Sequence, residues 1–253
     1  MVLPIRRFIK VLGLACTLVA CAGTGSTELG VDDRRVLLGQ TLPFSGKLGG
    51  LARQHHAGAR LYFDALNATG GIYGRRIEFV TLDHGRDPQR ALANTRALIY
   101  EHRVFALFGY LGKDIAATHH GIVQAERLPL LVLGPQSAGG LPRTYQRYFF
   151  QLSPVTADSH SRSHSEFVAA LAAHDATAIP DPQQFSGYLA ARVMAEALKR
   201  CGRDLSREKL VAALETIERD GLSSQAIAFA PSHQDAPSPT PDELLAMRSL
   251  ITR

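Results

Sequence analysis

The chain reads as an α/β protein built on a doubly wound, mainly parallel sheet, and three observations carry that reading. Short apolar runs alternate with amphipathic stretches of helical period along residues 36–134. The connections between runs are long enough to hold a helix, as crossovers between parallel strands require. The composition suits a layered core: 253 residues, 45% hydrophobic and 20% charged, with three cysteines and no Trp. It excludes a disordered chain, a fibrous repeat and a disulfide-stapled miniprotein. Net charge is +5, but the basic residues are scattered along the sequence and build no nucleic-acid footprint.

The first strand is Val36–Leu42, an apolar run bounded by charge and by Pro43. A helix follows over Leu51–Asn67, with Leu51, Ala59, Tyr62, Ala65 and Leu66 as its stripe, and Gly70-Gly71 ends it. Arg76–Leu82 is the second strand. Asp87-Pro88 offers an N-cap followed by proline at the first helical position, opening a helix to about His102 with Leu92, Thr95, Leu98 and Ile99 on one face. Val104–Gly109 is the third strand, Ile115–Glu126 a helix and Leu128–Gly134 the fourth strand. After Leu152 the pattern changes. Ser153–Ser165 reads as loop, and Ser163-x-x-Glu166 resembles a capping box for a helix to about His174. Asp181-Pro182 starts a long helix to about Cys201, bearing Phe185, Leu189, Val193, Ala197 and Leu198 on one side. Leu205-Ser206 starts another to about Arg219, and Ala226–Phe229 is a short strand. Residues 231–253 form a Pro-rich polar tail with one weak helix from Asp242 onward.

Residues 1–20 combine Arg6, Arg7 and Lys10 with the unbroken small and apolar run Val11–Ala20. A bilayer core needs about 20 apolar residues, so ten suit the h-region of a secretory signal instead. Leu18-Val19-Ala20-Cys21 resembles the bacterial lipobox, in which Cys21 becomes the acylated N-terminus of the mature protein; a simple signal cut near Ala22 is the other reading. Removing residues 1–20 lowers the net charge from +5 to +2. Cys201 is then the only thiol left, unable to form an internal disulfide or a zinc site by itself. Residues 21–35 read as a small, polar tether.

Open parallel sheets bind ligands beyond the carboxyl ends of their strands. Three loops lie there: Leu42–Gly46, Gly109–Asp114 and Gly134–Gly140. Their glycines let backbone approach a ligand, and N–H groups near helix N-termini suit a carboxylate. Ordinary βα loops also carry Gly and Ser, so spacing alone leaves both readings open.

The runs Leu38–Gly46, Gly58-Ala59-Arg60 and Asn67–Ile77 together resemble the opening of the Leu/Ile/Val-binding (type I periplasmic) proteins of ABC importers. Asp83–Pro88, Phe108–Gly112, Leu133–Ser137, Phe185–Arg192 and Leu205–Leu210 follow in the family's order. The resemblance covers about residues 36–153 and 165–230. It implies a periplasmic-binding-protein-like domain over 36–230: βα units to 153, a junction loop over 154–164, and helices over 165–230 that pack back on the sheet. It also implies an extracytoplasmic protein serving uptake of branched-chain or similar amino acids or amides, with an ABC permease as partner. The stretch that builds most of the family's second lobe is missing at the junction, which implies weak ligand binding.

By the same resemblance the ligand-binding candidates are Ser45, Gly112, Lys113, Asp114, Gln136 and Ser137, while the lipobox-like run makes Cys21 the expected lipidation site. Lys113 suits a carboxylate and Asp114 an ammonium, so an amino-acid zwitterion is chemically sensible; Asp114 as a helix N-cap is the plainer alternative. Relatives often carry small hydroxyl residues where Lys113-Asp114-Ile115 stands, and an aromatic residue where Leu51 stands.

A single-lobe interaction or sensor lipoprotein, or a remnant without solute binding, is the competing reading. An enzyme is not expected. No Gly-x-Ser-x-Gly elbow, P-loop or dinucleotide glycine fingerprint occurs. His55-His56 and His119-His120 are adjacent pairs that diverge, and His160 and His164 have no evident third ligand, so neither a metal nor another cofactor is expected.

Overall fold

In the computed structural model the described residues are 28–111, 113–133, 147–154, 162–219 and 227–229. Six strands and six helices follow in the order β1 (Arg35–Leu42), α1 (Gly49–Ala68), β2 (Arg76–Asp83), α2 (Pro88–Tyr100), β3 (Ala106–Leu111), α3 (Lys113–Ala125), β4 (Leu130–Leu133), β5 (Phe149–Pro154), α4 (Arg162–His174), α5 (Pro182–Arg200), α6 (Arg207–Arg219) and β6 (Ile227–Phe229). The strands form one sheet, β2-β1-β3-β4-β5-β6. All neighbours run parallel except β5 and β6. This is the expected doubly wound sheet: α1, α4 and α5 cover one face, α2 and α3 the other, and α6 packs on α5. The weak helix expected from Asp242 lies outside the described residues.

Local signals set α2 and α5. Asp87 accepts from the N–H groups of Gln89 (2.9 Å) and Arg90 (3.3 Å), and Asp181 from those of Gln183 (2.8 Å) and Gln184 (3.1 Å). In both cases proline takes a position where its missing N–H would have no partner. β5 is absent from the sequence reading. No helical pattern separates it from β4, so the alternation that reveals its neighbours breaks, and Phe149-Phe150 is recognisable as strand only by its pairing with Leu130-Leu131. The capping box is also corrected. Ser163 sits inside α4, where its hydroxyl accepts from Arg192 (2.6 Å), while Glu166 pairs with Arg162 and Arg192, each at 3.0 Å.

The buried face of α1 differs from the expected stripe. Leu51 is 47% exposed, whereas Ala52, His55, Ala59, Phe63 and Asn67 face the sheet and α5. α1 and α5 approach so closely that a Cβ on Gly58 would overlap the carbonyl of Gln184, and one on Gly187 that of His55. Larger residues cannot stand at this crossing, and so the apolar pattern of α1 is thin there. Farther along, Phe63 packs edge-on against Phe79 and Phe108, with ring centroids 5.1 and 5.6 Å away. Asn67 ties the helix to β2 through paired bonds with Ile77, 2.9 and 2.8 Å. Cys201 closes α5 with its thiol directed at the Ala197 carbonyl (3.1 Å); burial pushes the thiol up to about 11, so it is no nucleophile.

Candidate functional site

All parallel strands end on one edge, and the β1–α1 and β2–α2 loops rise from it side by side. Asp83, the last residue of β2, organises them. One of its oxygens accepts from the backbone N–H of Ser45 (3.2 Å) and of Gly85 (2.9 Å), and Arg90 lies 3.9 Å from the other. Burial would raise the Asp83 carboxyl, but the Ser45 hydroxyl, these N–H groups and Arg90 together hold it at about 2. It is therefore a carboxylate at neutral pH. Asn94 of α2 bonds the Thr41 hydroxyl (3.0 Å) and the Asp83 carbonyl (3.1 Å), fixing the ends of β1 and β2 to one another.

Ser45 is exposed at this rim. Its hydroxyl is drawn to Asp83 as a donor, which leaves its oxygen lone pairs free to accept. The N-terminus of α1 begins four residues later. Leu48 stands at its N-cap position without a side-chain hydrogen bond, and no acidic residue lies in the first turn. The Gly49 N–H is bonded to the Gly46 carbonyl (3.0 Å), and the first turn as a whole favours negative charge. Lys47 and Arg86 are exposed beside them, and Arg53 donates to the Phe44 carbonyl (3.1 Å).

β3 contributes a bulge. Gly109 has φ +66°, and the register slips between Phe108 and Tyr110. The extra residue turns Tyr110 onto the α2/α3 face, where its hydroxyl meets Thr95 at 2.9 Å. On the other face Gly109 lies under Gln40 and His55. The Gln40 carboxamide oxygen is 2.8 Å from His56 Nδ1. Neither His55 nitrogen reaches a hydrogen bond of acceptable geometry. Burial pushes the His55 imidazole down to about 4, partly offset by the Gly109 carbonyl and reinforced by His56.

Of the sequence-predicted residues, Ser45 stands at the carboxyl edge with its environment described. α3 opens at Lys113, immediately beyond β3, so Asp114 falls inside the first turn rather than ahead of it. The side chains of Lys113 and Asp114, together with Gly112, Gln136, Ser137 and Cys21, lie outside the described residues. Asp83 is the residue that sequence reasoning passed over as a binding-rim element. Its signal is an ionisable residue closing the second strand two positions before Gly85. Among the described residues, no three His, Cys, Asp or Glu side chains gather to hold a metal.

A family model described as periplasmic binding protein matches residues 36–163 and 146–239. The chain belongs to this family. A Leu/Ile/Val-binding protein homolog 7 from Brucella melitensis is 29% identical over 116 residues, 46% of this chain and 28% of that protein. The match thus spans under a third of the relative's length. Solved structures share the fold. A possible leucine/isoleucine/valine-binding protein from Rhodopirellula baltica SH 1 superimposes with TM-score 0.60 at 15% identity, over 74% of this chain and 87% of that one. A fatty acid ABC transporter substrate-binding protein from Thermomonospora curvata gives 0.62 at 16% identity, over 83% and 88%.

Proposed function

We propose that this chain is an extracytoplasmic, lipid-anchored solute-binding protein for ABC-type uptake of a branched-chain or similar amino acid or amide. The observation that carries the reading is the carboxyl-edge rim. There Asp83 holds the exposed Ser45 beside the uncapped N-terminus of α1. N–H groups at that end suit a ligand carboxylate, while the free lone pairs of Ser45 suit an ammonium or amide N–H. Lys113, Asp114 and Gly112 at the start of α3, with Gln136 and Ser137 after β4, are the remaining proposed contacts. The names of the Brucella and Rhodopirellula relatives support an aliphatic amino acid as the ligand. Cys21 is the proposed acylation site, and an ABC permease the proposed partner.

The reading includes a binding surface furnished mainly by one lobe. The family match arrives in two pieces that overlap at residues 146–163, and the described residues hold one sheet. A ligand on such a rim keeps one side in water. Each hydrogen bond then contributes about 1 kcal/mol, and losing about 4 kcal/mol of contact lowers affinity roughly a thousandfold. Millimolar ligand is accordingly the right range for the test. Thermal unfolding with branched-chain amino acids and short aliphatic amides should show a dose-dependent rise in melting temperature, reduced in Ser45→Ala. An unchanged melting temperature across the panel refutes solute binding.

A further inference from the structure

The opposite edge of the sheet, where the parallel strands begin, carries a charge pattern that solute binding does not use. The segments meeting there are residues 28–35, 69–76, 101–105, 126–129 and 147–148, all leading into strands, and 199–209, which joins the end of α5 to the start of α6. Hydrogen bonds place the last segment on this edge. Tyr73 donates to the Lys199 carbonyl (2.7 Å), Arg75 to that of Arg203 (2.8 Å), and Arg207 to those of Phe105 (3.1 Å) and Val104 (3.0 Å).

Together these segments hold twelve Lys and Arg against seven Asp and Glu. That surplus equals the formal charge of the whole chain, +5. The remainder of the molecule is therefore balanced, and once residues 1–20 are removed it is net negative. Several cations on the edge are already committed: Arg35 to Asp32 and Glu78, Arg147 to Glu208, Lys209 to Asp204. Arg34, Arg76, Arg103, Arg127, Lys199 and Arg203 are exposed and, among the described residues, form no ion pair. Arg103 and Arg127 occupy left-handed backbone positions (φ 52° and 48°) in the turns following α2 and α3.

The chain also enters the domain on this edge. Glu28 lies 3.8 Å from Arg207, and β1 begins at Arg35. From Cys21 to Glu28 a fully extended backbone reaches about 25 Å at most. An acyl group at Cys21 would keep this edge, rather than the ligand rim, within that distance of a bilayer.

We propose that the amino-edge face, centred on Arg76, Arg103 and Arg127, docks on an anionic phospholipid surface and turns the carboxyl-edge rim outward. Each Lys or Arg near such a surface contributes on the order of 1 kcal/mol, falling off within a Debye length. The charge argument is independent of what the rim binds. The reach argument rests on acylation of Cys21, so the test removes that group.

Full-chain Cys21→Ser protein is mixed with vesicles of neutral phosphatidylcholine, or of phosphatidylcholine with phosphatidylglycerol, and bound protein is measured by flotation. The leader is common to every variant, so differences between variants report the folded part. Binding should favour the anionic vesicles and fade as salt rises. Arg103→Glu/Arg127→Glu should weaken it by roughly tenfold or more. A charge-matched control at the opposite edge, Lys47→Glu/Arg86→Glu, should leave it nearly unchanged. Circular dichroism and melting temperature verify that both variants fold. Equal binding by the wild type and Arg103→Glu/Arg127→Glu overturns the proposal. An equal loss in the two double variants does so too, because it would report overall charge rather than this face.

Discussion

His55 ties the stability of the fold to pH below neutrality. It lies at the α1–sheet contact, fully buried, with its imidazole held at about 4 against an ordinary value of 6.5. The unfolded chain therefore takes up a proton at this position before the folded protein does. The stability associated with neutral His55 is fully present above pH 6.5, drains away as pH falls toward 4, and levels off below that. A difference of 2.5 between those values corresponds to about 3 kcal/mol. Burial also lowers His56 and His84, so the wild-type slope contains their contributions and needs a matched reference. His55→Leu removes the titrating ring while retaining comparable bulk. Because neither ring nitrogen makes a hydrogen bond of acceptable geometry, it should change stability at pH 7.5 by no more than about 1 kcal/mol. Urea unfolding from pH 7.5 to 4 at constant ionic strength provides the comparison. Wild type should lose about 3 kcal/mol more than His55→Leu over that interval. Parallel profiles for the two proteins would refute the burial argument.

The α1–α5 crossing makes a second prediction. Gly58→Ala and Gly187→Ala each add a methyl group where a backbone carbonyl already lies. Overpacking of about 1–3 kcal/mol or more outweighs the gain in helix propensity of about 1 kcal/mol, so each should lower the urea midpoint; a raised midpoint would contradict backbone contact. Asp83→Asn weakens the tie between the two rim loops. With Asp83 35% exposed, the expected loss at pH 7 is only about 1 kcal/mol. Asp83 stabilises the fold above pH 3.8 and loses that effect as pH falls toward 2, so the variant's acid profile should be flatter there, as followed by circular dichroism.

How much of this was legible in the sequence depends on the range of each signal. Asp87-Pro88 and Asp181-Pro182 declared their helices because an N-cap and its orphan N–H groups lie within three residues. The Ser163/Glu166 pair carried an equally local pattern and misled, because Arg192 of α5 draws both side chains away from the helix end. At the rim, Ser45 was legible from its loop, but the Asp83 carboxylate that holds it is 38 residues away. His55 was legible as a poor metal ligand and not as a core residue, since only the glycine contacts of α1 with α5 show how deeply it is enclosed.

By itself the sequence determined the alternation of strand and helix, and with it the parallel sheet, because period and capping are properties of neighbouring residues. It also sufficed to place the candidate loops at the carboxyl edge, since parallel strands all end on the same side. Tertiary structure alone decided that β1 lies between β2 and β3, which side of α1 is buried, and that β5 is a strand at all. It also gathered arginines that look scattered along the chain onto one face. These outcomes depend on contacts between residues far apart in sequence, where packing and pairing override what any short window can encode.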